Sequence, residues 1–153
     1  MKVIKDKNKK NTIKTPDNNG GFYKKHPYFS LRYIDKTNKK FSFKYLEKAD
    51  LSELLLDLNE LSQRTWEEIK NAGKYYRFHN IGINDTKEAE HLYELLDKCN
   101  MTEEEKDQII FYQFQPNKKS NYKLFRIDGF FNNDNVFEIV WFDREHNLYG
   151  RNN

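Results

Sequence analysis

The sequence predicts an α+β domain in which an antiparallel sheet, an N-terminal hairpin plus a C-terminal three-strand meander, is covered by two helices. Three observations predict it. Aromatic residues alternate with polar ones over 28–46, a leucine stripe at helical spacing runs through 50–72, and from Gln108 the apolar residues gather in short strand-like runs. The resulting order, ββα(β)αβββ, places strands at both ends of the chain and helices between them.

Taken in order, residues 1–27 read as a basic arm. Lysine and asparagine dominate, Pro16 and Gly20-Gly21 interrupt the segment, and little of it is apolar. It is either a solvated tail or an arm that holds nucleic acid or another acidic partner. Residues 28–150 form the domain. Its hairpin sets Phe29, Leu31 and Tyr33 against Phe41, Phe43 and Tyr45, with the turn-forming segment 35–40 between them. Arg32 and Lys44 fall on the opposite face, toward solvent or a ligand.

Asp50 and Glu53 predict a capping box at the start of a helix over 50–72. Leu51, Leu54, Leu55, Leu58, Leu61, Trp66 and Ile69 form its apolar stripe, and Gly73 is placed to end it. Asp57, Glu60, Glu67 and Glu68 read as its wet face. A short strand is expected over 75–79. A second helix follows Asp85 or Thr86, with Ala89, Leu92, Tyr93, Leu96 and Cys99 inward, and Thr102 with Glu105 caps one further turn. The meander comprises 109–115, 122–130 and 136–142, with a hairpin turn at Asn132-Asn133-Asp134-Asn135. In its last strand Phe137, Ile139 and Trp141 face one side and Val136, Val140 and Phe142 the other.

The net charge of +3 conceals a separation. Residues 1–46 are strongly basic, whereas 47–105 hold fifteen acidic and seven basic residues. This polarity points to nucleic acid at the basic end and a protein partner at the acidic helices. The single cysteine, Cys99, rules out an internal disulfide and suits a cytoplasmic location. No stretch reads as a secretory h-region or a membrane span, so no membrane partner is expected.

No Gly-rich phosphate loop, zinc-type Cys/His spacing or Gly-x-Ser-x-Gly elbow occurs, and no cofactor or metal is assigned. The candidate chemistry lies where the last strand ends, at Asp143, Arg144, Glu145, His146 and Tyr149. His146 is open to three roles. It can pin the terminus through Asp143 or a carbonyl, act as general acid or base in RNA cleavage, or join Asp143 and Asp128 or Glu138 around a metal. Arg126 either neutralises Asp128 and Glu138 or presents its guanidinium to a phosphate. Further nucleic-acid contacts are expected from Lys24, Lys25, Arg32, Lys44, Arg77, His79, Lys123 and Arg144. His26 and His91 read as surface residues.

Pro27–Tyr33, Leu61–Ile69 and Phe137–Tyr149 resemble a family of small uncharacterised bacterial proteins over most of 27–149. The ending, with Arg144, His146 and Tyr149 after a strand, also resembles the RelE/ParE toxin superfamily. That resemblance implies helices against an antiparallel sheet and a metal-independent ribonuclease site. Arg126 would hold the phosphate, His146 transfer a proton and Tyr149 act as a supporting donor. The chain departs from the superfamily in its greater length, extra hairpin and acidic helical layer. Two functions follow as expectations. One is a RelE-like, RNA-directed ribonuclease of a toxin–antitoxin or mobile-element system, with an antitoxin or host factor at the acidic helices. The other is a non-catalytic nucleic-acid or protein-binding module, phage- or defence-related.

Overall fold

The computed structural model describes residues 21–22, 24–117 and 125–148. Most of the basic arm therefore lies outside the described residues, as do Lys123 and Tyr149. Among the described residues the architecture is α+β, a five-stranded mixed sheet with four α-helices. The strands are β1 (Phe29–Ser30), β2 (His79–Ile81), β3 (Phe111–Phe114), β4 (Arg126–Phe131) and β5 (Phe137–Asp143). Their order across the sheet is β1-β5-β4-β3-β2. β5, β4, β3 and β2 pair antiparallel, whereas β1 runs parallel to β5.

The sheet is thus mixed rather than purely antiparallel, and the expected N-terminal hairpin is absent. Only Phe29–Ser30 joins the sheet, and residues 43–45 form a 3-10 turn. Two side chains override the alternation. Asp35 Oδ1 accepts from the amides of Thr37 and Asn38, and Asn38 Oδ1 accepts from those of Lys40 and Phe41. Such local bonds offer the backbone an alternative to a ladder and fold it into turns. The segment still covers the outer edge of β5 through isolated bonds. Tyr28 O accepts from Phe137 N at 2.9 Å, Asp35 N donates to Val140 O at 3.0 Å, and Phe41 O accepts from Phe142 N at 2.9 Å.

The helices are α1 (Lys48–Ser62), α2 (Trp66–Asn71), α3 (Ala89–Lys98) and α4 (Glu103–Asp107). The long helix expected over 50–72 is therefore two. Thr65 makes a reciprocal capping box with Glu68 and restarts the chain at Trp66. The first box is set back from the expected place: Glu47 is the N-cap and Asp50 the reciprocating residue. Gly73, at φ 55°, closes α2 in the left-handed conformation that glycine adopts without a steric cost. The break narrows the leucine stripe. Leu54 and Leu61 are buried, while Leu55 is 69% exposed. Asp57, expected to be wet, is buried and accepts a hydrogen bond from Asn117 Nδ2.

Helices cover both faces of the sheet. On one, α1 and α2 pack with Phe114, Ile127, Phe131, Phe137, Ile139 and Phe142. Trp66 is its centre, ring to ring with Phe131 at 5.0 Å, Phe78 at 5.6 Å and Phe137 at 5.9 Å. On the other, Leu92 and Leu96 of α3 meet Tyr33, Phe41, Phe111, Phe130, Val140 and Trp141.

A register shift in β5 decides what each face contains. Asp128 pairs with Trp141 but Gly129 with Ile139, leaving Val140 as the extra residue of a bulge. Trp141 is thereby turned to the α3 side with Val140, not to the side of Phe137 and Ile139. Glycine is required opposite the bulge, because a Cβ on Gly129 would collide with the Glu138 carbonyl oxygen and the Phe137 ring. The same register pairs Phe130 with Glu138 and Asp128 with Trp141, so the two acids are not cross-strand partners.

Candidate functional site

The bulge brings polar side chains together on the α3 face. The register sets His79, Gln113, Asp128 and Trp141 side by side across four strands, with Arg126 and Asp143 paired beside them. Because strand side chains alternate, all six share one face. Gln113, Asp128, Trp141, Asp143 and Arg126 are buried.

Gln113 links the row. Its Nε2 donates to Asp128 Oδ1 at 2.8 Å, and its Oε1 lies 3.1 Å from His146 Nε2. An amide oxygen only accepts, so His146 Nε2 carries the proton here. His146 itself occupies a left-handed turn at φ 56° just beyond β5. Its ring reaches Gln113, a partner not foreseen for it in the pinning role. Asp143 instead accepts the amides of Asn147 at 2.9 Å and Leu148 at 2.8 Å, which fastens the chain after β5.

Burial drives the electrostatics. Asp128 is pushed well above the usual carboxylate range by desolvation and then by the neighbouring Asp143, against the bond from Gln113 and the charge of Arg126. Asp128 Oδ2 is buried without a hydrogen-bond partner among the described residues, which further favours the protonated form. Asp143 is raised by burial, in opposition to its backbone bonds and to Arg126. Arg126 is 3% exposed and donates from Nη1 to the Phe125 carbonyl at 2.9 Å. Its place beside two buried carboxyls is that of an internal counter-charge.

A second buried acid was not foreseen. Asp35, expected only as part of a turn, is 0% exposed. Its Oδ2 accepts from Trp141 Nε1 at 2.8 Å and meets His91 Nε2 at 2.6 Å. Burial raises its pKa, but bonds from Trp141, Thr37, Asn38 and His91 outweigh that and hold it below the usual carboxylate range. As an ionised acceptor it requires the proton on His91 Nε2. His91 is accordingly half-buried and tied to the N-terminal segment rather than a surface residue.

The remaining candidates are on the surface. Lys24, Lys25, Arg32 and Lys44 are exposed. Arg32 lies over the Tyr33 ring at 5.2 Å. Arg77 is exposed in a left-handed conformation at φ 50°, and its carbonyl accepts from His79 Nδ1 at 2.6 Å. Arg144 bridges to α1, with Nε 3.3 Å from Asp50 Oδ2. The structure therefore gathers Arg126, His146 and, by register, His79. It leaves Lys24, Lys25, Arg32, Lys44 and Arg77 outside that row.

Sequence reasoning missed Gln113, Asp35 and His91. Asp35-x-Thr37 is a local turn signal, but nothing local marks its reach to Trp141. Comparison with protein-family models, curated proteins and solved structures returns no match. No helix among the described residues is long and apolar enough to cross a membrane.

Proposed function

We propose that the domain is a non-catalytic nucleic-acid-binding module that grips the phosphate backbone through its N-terminal segment. One observation carries this reading. Every lysine and arginine of residues 24–44 is exposed, while the only acid there, Asp35, is buried and satisfied. An exposed stretch of cations with no exposed acid of its own suits a polyanion, and Phe41 and Tyr33 anchor that stretch to the core. A protein partner, an antitoxin or host factor, would use α1, where Leu55 and Leu56 are exposed beside Asn59 and Glu60.

The test is fluorescence anisotropy with labelled single-stranded RNA and duplex DNA between ~50 and ~200 mM salt. Lys36→Glu combined with Lys39→Glu and Lys40→Glu should weaken binding at least about tenfold. It should also flatten the salt slope on duplex DNA by roughly 0.9 for each phosphate no longer neutralised. Binding unchanged by that triple reversal would remove the proposal.

The gathering of Arg126, Asp128, Asp143 and His146 favours a second reading, the RelE-like ribonuclease, since perturbed carboxyls cluster at functional sites. The burial of Arg126 and the engagement of His146 Nε2 with Gln113 speak for a structural row instead. RNA cleavage by the native chain that disappears in His146→Ala would establish the ribonuclease. RNA left intact by the native chain would discard it.

A further inference from the structure

A cavity of about 130 Å³ lies between the β4–β5 turn, the residues just after α3 and the Arg32–Tyr33 segment. We propose that it binds a small organic cation, an alkylammonium or guanidinium group. The site shares Arg32 and Tyr33 with the basic segment, but it does not depend on the polyanion reading and would stand if that reading failed.

Glu138 is the reason. It lines the cavity from β5, is 2% exposed, and has Oε1 occupied by Asn132 Nδ2 at 2.8 Å. Its Oε2 is buried without a hydrogen-bond partner among the described residues, and so is Asn133 Oδ1 on the same wall. Two buried acceptors with no donor are costly unless a ligand supplies the donors. Glu105 and Asp134 add two further carboxylates, against Arg32 as the one cation among the described residues of the lining. Tyr33 and Phe130 supply aromatic walls of the kind that receive organic cations.

The chemistry selects the class of ligand. Acceptor atoms call for N–H donors, and the formal charge of the lining calls for a cation. No group of three or more His, Cys, Asp or Glu side chains that could hold a metal ion occurs among the described residues. An ammonium or guanidinium head needs fewer carboxylates and uses the amide oxygen as well. The volume is on the order of the ~150 Å³ pocket that admits benzene, so the head group and a few carbons fit.

Titration of the full chain with butylammonium chloride and methylguanidinium chloride, followed by NMR, tests the proposal. Sodium chloride at equal ionic strength and magnesium chloride serve as comparisons. Saturable shifts of the Tyr33, Phe130 and Met101 signals are expected with the organic cations, at low-millimolar affinity for ligands of this size. Glu138→Gln should weaken binding about tenfold, and Asn133→Ala about threefold. Asn133 is at the turn, so its variant keeps the test valid if Glu138→Gln fails to fold. Shifts equal to those in sodium chloride, or undiminished in both variants, would overturn the proposal. A response to magnesium alone would overturn it too, by making the site a metal site.

Discussion

The two faces of the sheet are drawn from the same three long strands, yet toward α1 and α2 these strands present a dry, apolar surface and toward α3 a line of buried polar groups. Against α1 and α2 the strands present rings and aliphatic side chains, centred on Trp66. Against α3 the same strands present Gln113, Asp128, Arg126, Asp143 and Glu138 among the apolar groups. The difference teaches that the dry face is held by volume and the wet face by matched donors and acceptors. Errors on the first leave cavities. Errors on the second leave unpaired charge, so their effect depends on pH.

Three substitutions sharpen that contrast. The largest effect belongs to Trp66→Ala, which empties the middle of the dry face and should cost ~3–5 kcal/mol in denaturant unfolding at any pH between about 5 and 8. A loss confined to low pH would break the comparison.

Asp35→Asn comes next. It keeps the size of the hub but removes the charge that Trp141, His91 and two amides converge on. The expected loss at neutral pH is ~1–3 kcal/mol, read from the denaturation midpoint. The sign with pH follows from the folded-state pKa, which lies below the ordinary value. The stabilisation is present above the usual carboxylate range and disappears as pH falls through the lower folded value. Native protein and variant should therefore converge in acid.

The smallest effect, and of opposite sign, is expected for Asp128→Asn. Its folded pKa is raised, so the native protein loses stability as pH climbs through the usual carboxylate range toward the raised value. The variant keeps the oxygen that accepts from Gln113 and does not ionise. It should gain ~1 kcal/mol at pH 7 and nothing at a pH where carboxyls are protonated, measured by thermal melts at both. A destabilised variant at pH 7 would show that the charge of Asp128 is wanted in the fold.

How much of this was legible varied with the range of the cause. Thr65-x-x-Glu68 is the same signal as Thr102-x-x-Glu105, and both cap helices. The first was readable but masked by a leucine stripe that runs straight across it. The 28–46 alternation is real in the sequence, but turn bonds at Asp35 and Asn38 defeat it, and their strength relative to a ladder depends on the edge of β5 beside them. The site was half visible. Arg126, Asp143 and His146 stood out by type and place. The bridge through Gln113 is not marked locally, and the face that Asp143 takes depends on a bulge at Val140 that no local pattern announces.

The parallel pairing of β1 with β5 joins Phe29 to Phe137, across more than a hundred residues. A ribosome making this chain releases the first strand long before its partner exists. Phe29 must then wait in solvent, and the sheet closes only when β5 has been synthesised. Loop closure of that length slows folding, and the waiting segment is where a chaperone or a second nascent chain would first take hold.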